Sequence, residues 1–295
     1  MIELVIPQRR KDLGGFEVGR ILPFAKRRMV GPFIFLDHMG PVTFPPHIPK
    51  KVDVRPHPHI GLSTVTYLFE GRMTHRDSVG VTMEIKPGEV NWMTAGRGIT
   101  HSERFDGLRD SGGSMHGLQA WVALPLDAED AEPRFDHYDT ADLPTLNEKG
   151  ATGRIIAGEA YGKSAATKTR SPLFYVHWEL AEGTVMEAPT GYTDRAAYVV
   201  NGAVEIEGQR YDAGTMVVFA PGTATVKALR QSVVMFLGGE PVGERFIEWN
   251  FVASTKERLE QAKADWRAQR FKLPDADNQE FIPLLEPPPP PNPMS

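Results

Sequence analysis

Tyr67-Leu68-Phe69-Glu70-Gly71 and Tyr198-Val199-Val200-Asn201-Gly202 are two copies of one phrase, an apolar strand running into a glycine turn. A second landmark repeats with them. Pro87-Gly88 reaches Gly96 in eight residues, and Ala213-Gly214 reaches Gly222 in eight. Between the landmarks the two halves differ by five residues, which a shorter hairpin absorbs at little entropic cost. Self-similarity of this kind predicts two copies of one domain.

Outward from these phrases the chain reads as short apolar runs. The candidate strands are residues 32–36, 63–69, 79–85, 90–94, 118–124, 154–157, 173–180, 196–200, 204–207, 215–220 and 232–237. Turns bearing Gly, Pro or Asp separate them, which is the pattern of sandwiches and barrels. One helix is expected near residues 254–272. Ser254 and Glu257 have the spacing of a capping box, Leu259, Ala262 and Trp266 recur at helical spacing, and Pro274 follows. Trp266 should anchor this helix on a sheet. The stretch 127–170 turns acidic and then rich in Gly, Ala, Lys and Thr, so a connection between domains belongs there. The expected division is an N-terminal barrel over 1–140, a C-terminal barrel with the helix over 141–285, and an extended Pro-rich tail over 286–295.

Composition sets the outer limits. With 295 residues, 41% hydrophobic and 24% charged, the chain is an ordinary globular one large enough for two cores. Its formal charge of −5 offers no broad positive field for a polyanion, so direct nucleic-acid binding is not expected. The short basic runs Arg9-Arg10-Lys11 and Lys26-Arg27-Arg28 read as solvated faces. No cysteine occurs, which removes disulfides and thiolate chemistry and leaves redox work to a bound metal or cofactor. Neither a signal-peptide run nor a membrane span is visible, and the cytoplasm is the expected compartment.

Seven of the nine histidines fall between residues 38 and 116. The sharpest element is Pro56-His57-Pro58-His59, because residues two apart on an extended segment face the same way and can share an ion. Its partner is His101-Ser102-Glu103, again two apart. Either pair alone is equally compatible with loop histidines, and with Glu103 pairing to Arg97 or Arg104. Both pairs in this order point to metal. If the two segments are neighbours, three imidazoles and one carboxylate converge, leaving about two octahedral positions open for substrate and dioxygen. His38, His75 and His116 are candidates to line the pocket or support the ligands, and Trp92, Met93 and Trp121 are candidates for an aromatic wall.

The stretches Arg55-Pro-His57-Pro-His59, Tyr67-Leu-Phe-Glu-Gly71, Trp92-Met-Thr-Ala-Gly-Arg-Gly-Ile-Thr-His101-Ser-Glu103 and Phe35-Leu-Asp-His38-Met-Gly-Pro41 together resemble the pirin family, bicupins of the cupin superfamily. Met115-His-Gly-Leu-Gln-Ala-Trp121, Arg154-Ile-Ile-Ala-Gly-Glu159 and Trp249-Asn-Phe-Val extend the likeness over roughly residues 10–285. The resemblance implies an all-β fold of two cupin-type double-stranded β-helix barrels with a C-terminal helix. It also implies one metal, typically iron, held by His57, His59, His101 and Glu103. Some members cleave the flavonol quercetin with dioxygen, and others are regulators that bind partner proteins. Two departures stand out. Ser63 and Thr64 occupy a stretch where pirins often carry a Glu. In the second copy, Ala188, Thr190 and Lys227 stand where His57, His59 and His101 stand in the first, so that barrel should hold no metal.

The combined expectation is a cytoplasmic, monomeric quercetin 2,3-dioxygenase with one divalent ion, Fe(II), and Glu103 as the catalytic proton acceptor. Its partners would be a small aromatic polyphenol and O2, with no membrane. The alternative is a non-enzymatic regulator that responds to the oxidation state of its metal and binds a protein partner.

Overall fold

The computed structural model describes residues 1–12 and 15–285; the Pro-rich tail lies outside the described residues. The repeat read from the glycine turns is a repeat of topology. In the first copy a seven-stranded sheet runs in the order Arg134–Tyr138, Val90–Thr94, Leu62–Glu70, Gly113–Ala123, Phe33–Phe44, Glu17–Leu22, Arg9–Asp12. In the second the order is Ile2–Pro7, Thr215–Phe219, Asp194–Asn201, Ser232–Gly239, Leu173–Leu180, Ala151–Ala160, Thr145–Glu148. A four-stranded sheet closes each barrel: Val54–His59, Ile99–Arg104, Met73–Asp77, Thr82–Ile85 in one, and Val185–Glu187, Thr225–Ala228, Ala203–Ile206, Gln209–Asp212 in the other. Gly71 and Gly202 both sit at φ 86°, and a Cβ would meet the carbonyl oxygen of Ser114 at the first and of Gln231 at the second. Only glycine fits such a turn, which is why the phrase is visible twice in the sequence.

The two large sheets pack face to face. Val65, Tyr67, Trp92 and Leu118 from one barrel share a single core with Tyr175, Tyr198, Met216 and Leu237 from the other. Polar pairs cross it, Tyr67 Oη with His177 Nδ1 at 2.9 Å and Tyr198 Oη with His38 Nδ1 at 2.6 Å. Burial holds both imidazoles down at about 4. The second barrel has its own apolar interior of Trp178, Phe174, Phe236, Met186 and Val226, and a separate cavity of about 590 Å³ opens beside Ala188 and Thr190.

The ends of the chain are exchanged. The expected division at residue 140 gives each end to the barrel nearest it in sequence, but backbone hydrogen bonds place both on the other barrel. Ile2–Pro7 runs antiparallel to Thr215–Phe219 as the edge strand of the second barrel. The hairpin Phe246–Glu248/Phe251–Ala253 bridges Ile60 of the first barrel through Phe251, and the helix Lys256–Arg267 packs on it with Trp266 buried against Ile60 and Phe251. The physical reason is that a barrel edge offers unpaired N–H and C=O groups to whichever strand reaches it, whatever that strand's position in the sequence. Helix capping also differs from expectation. Thr255, not Ser254, is the N-cap, its Oγ1 accepting from Arg258 N at 3.2 Å, while Ser254 donates its N–H and hydroxyl to Glu129. The expected strand 79–85 begins only at Thr82. Asp77 Oδ1 accepts from both Val79 N and Val81 N at 3.0 Å and ties residues 77–81 into a turn. No helix among the described residues is long and apolar enough to cross a membrane.

Candidate metal centre

Val54–His59 and Ile99–Arg104 are adjacent antiparallel strands, with His101 opposite His57 and Ile99 opposite His59. Val54–His59 is an edge strand, the place where Pro56 and Pro58 are tolerated without a full ladder. Alternation turns His57 and His59 to the same side, and the pairing brings His101 to meet them. Ligand atoms of the three imidazoles lie within 4.8 Å of one another, and all three residues are buried. The ladder shifts register between His101 and Glu103, which re-aims the carboxylate. Glu103 stands at the edge of the group, with Oε1 3.7 Å from His101 Nδ1.

Hydrogen bonds assign the tautomers. His57 Nδ1 donates to Arg55 O and His59 Nδ1 donates to Asn250 O, each at 2.9 Å. Asp77 Oδ2 accepts from His75 Nε2 at 2.9 Å, which leaves His75 Nδ1 as the acceptor for His101 Nδ1 at 3.4 Å. Each candidate ligand therefore spends Nδ1 on a supporting group and keeps the Nε2 lone pair, the second-sphere arrangement common to metal-binding imidazoles. His101 Nε2 and Glu103 Oε2 are buried with no partner at all. Burying such groups unpaired is costly, and a cation shared by the three imidazoles would satisfy His101 Nε2, so the donor set of His57, His59 and His101 fits a metal, with Glu103 outside that group of three. Without one, burial drives the site neutral. It lowers His57 to about 4, takes His59 and His101 well below the ordinary imidazole range, and pushes Glu103 up to about 8.

His57, His59 and Glu103 lie on the wall of a cavity of about 920 Å³. A ladder of planar groups forms one side of it. The Arg20 guanidinium, held by Asp37 at 2.8 and 2.9 Å, sits 4.5 Å over Phe35; Phe35 stacks on Trp121 at 4.0 Å; Trp121 meets His59 edge-on at 5.0 Å. Of the candidate wall residues, Trp121 lines the cavity, while Trp92 belongs to the core between the barrels and Met93, in one apolar cluster with Phe35 and Trp121, does not itself line the cavity. Of the candidate supporting histidines only His75 reaches a ligand; His38 and His116 bond each other at 2.8 Å between the barrels. Ser63 is buried and donates to Thr94 Oγ1 at 3.2 Å.

Sequence reasoning missed what the C-terminal segment contributes. Asn250 supplies the carbonyl that orients His59, and Ile247, Trp249 and Ile282 form part of the cavity wall. Asp277 grips the strand that carries His101 and Glu103. It accepts from Ser102 Oγ at 2.6 Å and from Arg104 at 2.7 and 2.8 Å. Ile282 N donates to Pro56 O at 2.8 Å, on the other ligand strand. The one visible signal was the Trp249-Asn-Phe-Val phrase. Breaking the Asp277 grip leaves the largely buried Arg104 partly unpaired, so Asp277→Ala is expected to loosen the ligand strand and weaken metal binding about tenfold in a chelator competition. Unchanged affinity would show that the strand holds its geometry without the arm.

The second barrel differs at the equivalent place. Val185 and Lys227 pair across the two strands and are both exposed, while Met186, Val226 and Ala228 fill the interior. Among the described residues, His57, His59 and His101 are the only group of three or more metal-type ligands brought together.

The pirin pattern matches residues 15–122, and the pirin C-terminal cupin domain matches residues 175–272. This chain belongs to the pirin family. A pirin-like protein from Caulobacter vibrioides is 62% identical over 97% of this chain and 100% of its own length. Human pirin is 31% identical, covering 89% of this chain and 90% of its own. The crystal structure of quercetin 2,3-dioxygenase from Acinetobacter baumannii superimposes with a TM-score of 0.88 at 33% identity, covering 97% of this chain and 96% of that one. The pirin fold of two cupin barrels with one C-terminal helix is therefore the architecture of this chain.

Proposed function

We propose that this pirin-family chain is a metal-dependent dioxygenase that cleaves a flavonol such as quercetin with O2, using one divalent ion, Fe(II), per chain. The observation that carries the reading is the set of three Nε2 lone pairs freed by their own Nδ1 hydrogen bonds, beside the unpartnered Glu103 Oε2. His57, His59, His101 and Glu103 would hold the ion, which supplies the Lewis acidity and redox capacity that dioxygen chemistry on a phenolic ring requires. The likeness to a solved quercetin 2,3-dioxygenase supports the substrate class.

The chain's own residues then have distinct tasks. Phe35 and Trp121 offer a flat face to the aromatic rings, and Ile247, Trp249 and Ile282 exclude water from the other side. Glu103 Oε2 takes the proton of the flavonol 3-hydroxyl. As the one carboxylate of the proposed set, Glu103 is the group there that can accept a proton without giving up a metal-bound imidazole. His75 and Asp77 keep His101 in its ligating tautomer throughout. The test is oxygen uptake by protein reloaded with Fe(II) under anaerobic conditions and then given quercetin and air. Uptake stoichiometric with quercetin loss is expected, and a fully loaded protein that consumes no oxygen overturns the reading.

A further inference from the structure

We propose that the mouth of this cavity selects an aromatic ligand carrying a second, anionic substituent, a carboxylate or sulfonate remote from the oxygen that meets the metal site. The inference rests on reading the cavity as an aromatic-binding site and narrows the class of molecule it takes.

Four cations line the cavity and are exposed at its rim: Lys11, Lys50, Lys51 and Arg55. Among the described residues none of the four is engaged in an ion pair. The acids of the same wall are already committed to other partners. Asp37 is held by Arg20; Asp53 by Arg109 at 2.6 Å, Arg104 at 3.5 Å and the Phe105 N–H; Glu280 by Arg104 at 3.1 Å. Glu103 lies deep, beside His101 at the metal-site end of the cavity. The rim is therefore locally positive on a chain whose formal charge is −5. Apolar walls concentrate that field, and its effect is to draw in and orient an anion.

The cations are also placed, not merely present. Lys50 and Lys51 belong to the 3-10 turn Lys50–Val52, fixed by Val52 N to Pro49 O and Asp53 N to Lys50 O at 3.0 Å and anchored by buried Val52. Lys11 comes from the separate strand Arg9–Asp12. Arg55 lies on the ligand strand itself, two residues before His57 and on the same face by alternation, which sets its Cα about 7 Å from that of His57. A ligand that touches both ends of this strand face is a molecule of two or three rings with its acid group at the far end. The basic run Arg9-Arg10-Lys11 thus contributes to a site.

The test uses Zn(II)-loaded protein, in which no turnover occurs, and reads quenching of tryptophan fluorescence from Trp121 and Trp249 in the wall. Two matched pairs of probes are titrated: 2-naphthoate against 2-naphthamide, and quercetin-5′-sulfonate against quercetin. In each pair the anion is expected to bind about tenfold more tightly at low salt, with the advantage shrinking at roughly 0.3 M salt. Lys50→Glu with Lys51→Glu should abolish that advantage while leaving the neutral partner's affinity unchanged, and Lys11→Glu on the other element should reduce it. Equal binding within each pair, an advantage untouched by both charge reversals, or no binding of any anion at millimolar concentration overturns the proposal. A naphthoate preference with neither flavonol binding would leave the anion-selective mouth standing and remove the flavonol reading instead.

Discussion

His57→Ala combined with His59→Ala is expected to empty the metal site while the protein stays folded. Removing one imidazole from the proposed four-donor site leaves three donors and residual affinity, whereas removing both strips the whole contribution of the Val54–His59 strand. Parental protein reloaded with Fe(II) in the absence of oxygen should contain about one ion per chain by elemental analysis, since only the first barrel gathers such a donor group among the described residues. The double variant should contain none. The loss leaves the carbonyls of Arg55 and Asn250 without their imidazole donors, a cost of about 1–3 kcal/mol each. The core between the barrels and the apolar cluster of the second barrel are untouched, so the β spectrum should persist with a lowered melting temperature. Full metal content in the double variant would place the site elsewhere, and two tightly held ions in the parent would contradict the assignment of one donor group to the first barrel.

Glu103→Gln separates holding the ion from chemistry. Glutamine keeps the size and one oxygen donor and removes both the charge and the basicity. Three imidazoles already oriented by Arg55 O, Asn250 O and His75 remain in place, so metal should stay bound, more weakly for lack of the negative charge. Turnover of quercetin should fall by about 10²- to 10⁴-fold, the usual consequence of losing a general base. The comparison is made at equal metal occupancy, so that a weaker site is not mistaken for a slower one. A variant that cleaves flavonol at the parental rate removes Glu103 from the proton path, and one that loses the metal altogether assigns it to binding alone.

The parts of this protein legible in its sequence are those where one backbone or side-chain requirement can be met by few residue types. Gly71 and Gly202 occupy a turn at φ 86° that a Cβ cannot enter, so the repeat of the fold is written twice in the sequence. His57, His59 and His101 announce themselves because two-residue spacing on an extended strand has a direct geometric meaning, and the structure gathers all three. The helix was legible from its apolar spacing, with its cap one residue off because Ser254 and Thr255 are equally able to cap and only the presence of Glu129 claims the first.

What the tertiary structure alone decided travels through backbone atoms or distant partners. The exchange of chain ends is edge pairing between main chains, which carries no side-chain signature. The carbonyl that orients His59 belongs to Asn250, 191 residues away, and any residue there has a carbonyl to offer. The register shift between His101 and Glu103, which sets the carboxylate beside the imidazoles and not among them, arises from how two strands meet. Asp77 lies two residues before the expected strand 79–85, yet its carboxylate holds residues 77–81 in a turn, delays that strand to Thr82 and supports His75 at once. The sequence by itself determined two barrels, one helix and three converging imidazoles, because local geometry restricts which residues can serve there. Only the tertiary structure decided which end of the chain walls the cavity and which groups hold the ligands in their metal-binding tautomer, because those choices are made by hydrogen bonds between segments whose sequences do not register each other.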